Sequence, residues 1–284
     1  MNPNFEELLQ QSMEIWLAED IGDGDHTTLS TIPENAKGKA NLIAKDQGII
    51  AGIFAILKLI EKFDPELETK VYISDGSPIK YGDTILSLHG KVHSILQIER
   101  LMLNLLQRLS GIATQTHLYA KELEGFKTKI LDTRKTTPGL RFLEKEAVRL
   151  GGGVNHRVGL FDMILIKDNH IDFAGGVKKA IEASKKYLSA NNLKMKIEVE
   201  ARNLNDIEEI LDAGGVDRIL LDNFSTELTK KAVALINGRV ETESSGGISF
   251  KTLKDYAVCG VDYISVGALT HQIKSLDLSL KAVF

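Results

Sequence analysis

Cations recur in one stretch of this chain. Arg134 and Lys135 follow the apolar pair Ile130-Leu131, and Lys167 follows the apolar run 163–166. Between them a glycine loop, 151–153, leads into Asn155, His156 and Arg157. An apolar run that breaks at once into a cation is the pattern of a parallel strand whose carboxyl end meets a ligand. Taken singly, each charge reads as a solvated loop residue; the recurrence is what points to a site. Further along, Glu200, Asp222, Ser244-Ser245-Gly246-Gly247 and Gly267 each stand at the end of an expected strand. Paired carboxylates suit general acid–base work, a divalent cation or ligand hydroxyls. Glycine-freed amides after the last two strands of an α/β barrel suit a phosphate monoester, and each of these loops is expected to lead into a helix. A sugar phosphate with Mg²⁺ would satisfy the carboxylates and the glycines. The cations exceed what it needs and imply a second polyanionic ligand, for which arginine offers bidentate carboxylate recognition.

The elements that must position these residues alternate in type. Strands are expected at 129–133, 163–166, 195–199, 218–221, 240–243 and 263–266. Helical patterns separate them, at about 140–150, 174–189, 203–213, 226–237 and 249–258. Alternation of this kind gives right-handed βαβ units and a parallel sheet, here an open or irregular α/β barrel with its ligands at the strands' carboxyl ends.

The amino-terminal part reads differently. A helix is expected over 5–17, short strands within 38–53 and 69–93, and a helix over 54–62 between them. The segment 75–85, DGSPIKYGDTI, resembles the hairpin of biotinyl/lipoyl-like sandwich domains and is taken only as a fold hint. The aspartates of 19–28 lack the ligand spacing of a calcium loop and read as a turn that caps a helix. Residues 94–111 show an amphipathic helix, with a capping box at Ser94 and Gln97 and a stop at Gly111. A second helix is expected to about 124. By spacing alone Arg100 is a surface cation of the first of these. The expected organisation is an α+β sandwich-like domain over 1–112, a barrel domain over 113–270, and a C-terminal helix over 271–284 that packs back on the first.

Composition removes several function classes. A net charge of −4 argues against general binding to nucleic acid or anionic membranes. No apolar run approaches the roughly 20 residues of a membrane span. The lone cysteine, Cys259, excludes an internal disulfide framework and a cysteine-based metal cluster. With an acidic N-terminal segment that lacks a signal-peptide core, these features point to the cytoplasm. His26, His89, His93, His117 and His271 lack metal-ligand spacing and read as structural.

Seven motifs together carry a family resemblance. They are Glu99-Arg100 with Asn104-Leu105, the run 109–114 (LSGIAT), the run 132–139 (DTRKTTPG), Asn155-His156-Arg157, the run 167–170 (KDNH), Glu198-Val199-Glu200, and the run 245–248 (SGGI). In this order they closely resemble quinolinate phosphoribosyltransferase, the carboxylating nicotinate-nucleotide pyrophosphorylase, from about Glu19 to the C-terminus. The resemblance implies transfer from 5-phosphoribosyl-1-pyrophosphate to quinolinate with Mg²⁺, giving nicotinate mononucleotide, pyrophosphate and CO₂ in NAD synthesis. It implies a homodimer at least, with Arg100 entering the neighbour's site. Arg134, His156, Arg157 and Lys167, with Arg100 from the neighbour, would hold the dicarboxylate, and Thr133 would bind substrate. Lys135 would meet pyrophosphate. Glu200 and Asp222 would meet ribose hydroxyls and Mg²⁺, directly or through substrate and water. Ser245, Gly246, Gly247 and Gly267 would cradle the 5′-phosphate. The alternatives are a family paralogue associated with molybdate transport, a Schiff-base lyase using Lys135 or Lys167, and a non-catalytic binding module.

Overall fold

The computed structural model describes residues 5–283. Its elements run α1 (Phe5–Ile21), α2 (His26–Thr31), β1 (Lys37–Ala44), β2 (Gly48–Ile49), α3 (Ile53–Phe63), β3 (Glu68–Val71), β4 (Pro78–Ile79), β5 (Thr84–Lys91) and α4 (Val92–Glu122). They continue as β6 (Lys129–Leu131), α5 (Arg141–Leu150), β7 (Ile164–Ile166), α6 (Asp168–Ala174), α7 (Val177–Ala190), β8 (Ile197–Ala201), α8 (Leu204–Ala213), β9 (Arg218–Asp222) and α9 (Thr226–Ile236). The last are β10 (Glu241–Ser245), α10 (Leu253–Ala257), β11 (Tyr263–Ser265), α11 (Ala268–His271) and β12 (Leu278–Val283). The chain divides into two compact units. The first holds residues up to 117, with 137–152 and 272 onward; the second holds 118–136 and 153–271.

The first unit is built on an antiparallel sheet of order β12-β1-β5-β3. Ala40, Leu42 and Ala44 alternate with more exposed residues along β1, so one face is apolar. Leu42 stands opposite Leu86 on one side and Leu280 on the other. Leu59, Met102 and Leu106 are fully buried in the same unit. Asp25 caps α2, its side chain accepting the Thr28 N–H at 3.1 Å.

Three expectations change here. The C-terminal segment is a strand, not a helix: Leu276, Leu278 and Leu280 are buried with polar residues between them, and that period of two adds β12 to the free edge of β1. Residues 92–122 form one helix rather than two. Gly111 does not stop it. A Cβ there would lie 2.4 Å from the Lys274 carbonyl oxygen and 3.1 Å from the Ser275 Cα, so glycine serves close approach of another segment. Ser94, two residues inside the helix, makes no capping box; its hydroxyl donates to Asp64 at 2.6 Å. Finally, α5 groups with the first unit and not with the barrel. Its Glu144 is fully buried and receives Arg108 Nε and Nη2 at 2.9 and 2.7 Å, while Arg108 also reaches the Thr137 hydroxyl at 2.7 Å.

The second unit is an open α/β barrel. Six parallel strands take the order β6-β11-β10-β9-β8-β7. The first and last strands in sequence are neighbours, so the sheet curls round, but β6 and β7 are not paired with each other. Val154 lies beside β6 at this gap in a single parallel bridge to Leu131. Its N–H donates to the Ile130 carbonyl at 2.9 Å, and its carbonyl accepts the Asp132 N–H at 3.2 Å. Among the described residues no helix is long and apolar enough to cross a membrane.

The close approach at Gly111 yields a test. Alanine is the better helix former by about 1 kcal/mol. The added methyl nevertheless meets backbone, so Gly111→Ala is expected to destabilise by roughly 1–3 kcal/mol, read from the urea midpoint. A gain in stability would show that the 274–275 segment yields freely.

Candidate active site

Side chains of a strand repeat every two residues, so Glu198 and Glu200 share one face of β8 at two depths. Register sets their neighbours: Glu198 stands beside Arg218, Leu220 beside Glu243, and Asp222 beside Ser245. Asp222 and Ser245 are the last residues of their strands, and Lys167 and Gly267 lie just past theirs. The parallel sheet thus brings Lys167, Glu200, Asp222, Ser245 and Gly267 to one end.

At that end Glu200 is buried and has the Asp222 carboxylate for a neighbour. Burial first, then the Asp222 charge, raises its carboxyl to about 7, against the pull of nearby Lys167. Two carboxylates in this relation hold a proton between them or share a cation. Asp222 also accepts the Asn223 side-chain amide at 2.7 Å. Asn223 is left-handed at φ 56°, and its N–H donates to the Ser245 carbonyl at 2.9 Å.

The glycine loop follows. Gly246 has φ 99°, and a Cβ there would lie 2.2 Å from Asn223 Oδ1 and 2.9 Å from the Asn223 nitrogen, so no other residue fits. Gly247, at φ 60°, faces open space. The expected helix behind this loop is displaced, since α10 begins only at Leu253, and α11 after Gly267 is a single turn. An anion here would meet loop amides rather than the end of a long helix. Gly267 brings two cationic types together: a Cβ at this position would lie 3.0 Å from Lys135 Cδ and 3.0 Å from His271 Nε2. By sequence spacing His271 is structural; only its neighbours in the fold place it at the mouth. Thr270 holds the Lys135 carbonyl at 2.8 Å, and the Lys135 N–H donates to Thr133 Oγ1 at 3.0 Å.

Arg134 and Arg157 are half-buried and close to each other. Burial, and then the Arg134 charge, pull the Arg157 guanidinium below its ordinary range. Crowded guanidiniums of this kind favour an anionic ligand. Arg157 Nη1 also donates to the Met163 carbonyl at 3.2 Å. Lys135 and Lys167 are exposed, so neither has the desolvated pocket that is one way to activate a Schiff-base lysine. Arg100 belongs to the first unit, exposed on α4 with Asn104.

His156 points into the barrel. Its Nε2 lies 3.0 Å from Glu198 and 3.4 Å from Glu243. Burial works against a charged ring and the two carboxylates work for it; the Arg157 N–H at Nδ1 leaves that nitrogen without a proton, so the ring carries its proton on Nε2, toward Glu198 and Glu243. Its Nδ1 accepts the Arg157 N–H at 2.7 Å, and its own backbone N–H donates to Asp132 at 2.8 Å. Sequence reasoning gave Glu243, Arg218 and Asp132 no individual role. Arg218 and Asp132 flank the apolar runs 219–221 and 130–131, and Glu243 lies in the polar strand ETESS, so no break in an apolar pattern marks them.

The quinolinate phosphoribosyl transferase C-terminal domain model matches residues 112–281, and the corresponding N-terminal domain model matches 25–110. The chain belongs to the quinolinate phosphoribosyltransferase family. It is 44% identical to quinolinate phosphoribosyltransferase [decarboxylating] 1b of Nicotiana tabacum, covering 96% of this chain and 82% of that one. It is 42% identical to the probable nicotinate-nucleotide pyrophosphorylase [carboxylating] of Bacillus subtilis (strain 168), over 96% and 92%. The solved nicotinate-nucleotide pyrophosphorylase of Francisella tularensis superposes with a TM-score of 0.93 at 41% identity, over 100% of this chain and 98% of that one. The Francisella tularensis protein therefore shares the fold described above.

The Glu200–Asp222 pair has a stability consequence. The Glu200 carboxyl lies at about 7 in the folded chain against 4.5 as a free side chain. Native stability therefore falls as pH rises through that window, because the folded state gives up a proton the unfolded state has already lost. Glu200→Gln lacks this loss. The unliganded variant is expected to be more stable than the parent above pH 7, on the order of 1 kcal/mol after solvent screening, with the difference closing below about pH 4.5. Thermal unfolding of both proteins across pH checks it; a parallel pair of curves would mean the two carboxylates do not repel.

Proposed function

We propose that this chain transfers the phosphoribosyl group of 5-phosphoribosyl-1-pyrophosphate to quinolinate and releases CO₂, forming nicotinate mononucleotide and pyrophosphate for NAD synthesis. One observation carries the reading: crowded arginines, a carboxylate pair and a glycine loop stand at the carboxyl end of a single parallel sheet. Family membership over nearly the whole chain supports it.

In this reading Arg134, Arg157 and Lys167, with Thr133, receive the dicarboxylate, and His156, whose ring nitrogens are both engaged inside the barrel, stands behind Arg157. The loop Ser245-Gly246-Gly247 and Gly267 receive the 5′-phosphate, with Lys135 on the pyrophosphate. Glu200 and Asp222 receive the ribose hydroxyls. The carboxylate pair also fits Mg²⁺, since two neighbouring carboxylates at the strand ends, one of them raised by burial and then by the other's charge, supply the oxygen ligands such a cation takes. When bound, Mg²⁺ would neutralise charge on the departing pyrophosphate. As pyrophosphate leaves, positive charge grows at the ribose carbon, and Glu200 and Asp222 oppose it; Lys135 opposes the negative charge on the leaving group. The quinolinate nitrogen then bonds to that carbon. The quaternised nitrogen stabilises the electron pair left on the adjacent ring carbon as its carboxylate departs as CO₂, and that carbon then takes a proton from solvent, so no protein nucleophile is needed.

The working form is a homodimer with Arg100 of each subunit in the other's dicarboxylate pocket. Its exposure on α4 in the first unit supports this, since an outward arginine is available to a neighbour. A cytoplasmic setting accords with the acidic balance and the single cysteine; fractionation of producing cells checks it.

Substrate choice tests the pocket. Quinolinate is expected to exceed nicotinate in kcat/KM by orders of magnitude, since cations left unpaired by the missing carboxylate cost roughly 1–3 kcal/mol each. Comparable values would remove the dicarboxylate assignment. Subunit complementation tests the sharing. Arg100→Ala and Arg157→Ala are each expected to lose roughly 2–5 kcal/mol of transition-state stabilisation. Mixed under subunit exchange, they should regain up to about a quarter of parental sites, because half the dimers are mixed and each has one intact site. Verified exchange without recovery would place Arg100 in its own chain's site.

A further inference from the structure

The lumen of a parallel barrel is ordinarily filled by branched aliphatic side chains. This one carries Glu198, Glu243, Arg218 and His156, whose side chains are 0%, 1%, 11% and 7% exposed. Burying such a set is no better for stability than a well-packed aliphatic layer. What it supplies is position. Glu198 of β8 and Glu243 of β10 both reach His156 Nε2, although β9 separates their strands. Arg218 of β9 fits between them, with Nη1 3.0 Å from Glu243 and 4.0 Å from Glu198. Its guanidinium lies 4.1 Å from the Tyr263 ring centre, and its Nη2 is 3.2 Å from Glu241. The spacing of His156, Glu198 and Glu243 also suits a divalent cation, but Arg218 already supplies the positive charge there.

The far end of this cluster is the segment that fills the barrel's gap. Val154 bridges to β6, and the Asp132 side chain holds the His156 amide. The His156 ring then gives the same segment an anchor on the opposite wall, and its Nδ1 takes the Arg157 amide. Arg157 is thus tied to three strands it does not touch in sequence.

We propose that Glu198, Glu243 and Arg218 are positioning residues for acid recognition: they brace the His156 ring inside the barrel and, through it, hold Arg157 where it meets a substrate carboxylate. The inference rests on the dicarboxylate reading of Arg157 given above. A brace that was merely structural would weaken both substrates alike; this one acts on the acid.

Glu198→Gln and Glu243→Gln test it on the full-length protein. Each is expected to raise the KM for quinolinate about 10-fold or more while changing that for 5-phosphoribosyl-1-pyrophosphate by less than about 2-fold. In an Arg157→Ala background the same substitutions should add less than about 2-fold, because the brace then has nothing to hold. Amide hydrogen exchange gives a readout that needs no turnover: residues 154–157 should lose protection in both variants while β8 and β10 keep theirs. This separates failure of the brace from failure of the proposed reaction, which wild-type turnover of quinolinate decides on its own. If a glutamine variant does not fold, Glu243→Asp, which keeps the charge and withdraws it by one methylene, takes its place with the same expectations at smaller size. Equal changes in both KM values, full additivity with Arg157→Ala, or unchanged protection at 154–157 would overturn the proposal.

Discussion

Charge inside a parallel sheet is the constraint on which the second unit depends. Glu198 and Glu200 lie two residues apart on β8, so the pleat turns both inward, one in the lumen and one at the rim. The lumen residue has to find a partner, and it has Arg218 and His156. Burial and the neighbouring Asp222 raise the rim carboxyl to about 7, and burial and Glu243 raise the lumen carboxyl as far. One strand thereby serves two ends: a buried carboxylate set among the lumen's His156 and Arg218, and a rim carboxylate that faces a ligand. Leu220 and Asp222 stand in register with Glu243 and Ser245 on β10, so each neighbouring pair carries one charge, Glu243 in the first and Asp222 in the second.

The open barrel follows from the same economy. A closed ring would pair β6 with β7 and leave no room for the segment that carries His156 and Arg157. With the gap present, that segment lies beside β6 through one bridge, and the lumen charges supply its second anchor. The cations therefore stand on a loop, yet a loop held from both sides. Rigid placement matters for guanidiniums as close as Arg134 and Arg157, whose mutual repulsion would otherwise drive them apart.

In the first unit the governing contacts are backbone approaches. Gly111 lets the 274–275 segment lie against α4, and β12 then closes the sheet edge at β1. Arg108 and Glu144 join α4 to α5 and to Thr137, just after the Arg134-Lys135 pair in sequence. A long helix thus organises this unit through one glycine and one buried ion pair.

The sequence alone determined the alternation of strand and helix from residue 129 onward, because apolar runs of strand length recur between amphipathic helical patterns. It also determined which end of the sheet carries Lys167, Glu200, Asp222, Ser245 and Gly267, since chain direction fixes that in any parallel sheet. It misjudged Gly111, Ser94 and the C-terminal strand, where the answer depends on a segment distant in sequence: Lys274, Asp64 and β1 respectively. Tertiary structure alone decided the pairing of His156 with Glu198 and Glu243, the neighbourhood of His271 and Lys135 at Gly267, and the assignment of α5 to the first unit. These depend on strand order and on which side chains meet across a lumen, and residue spacing along a chain holds no information about distance across a fold.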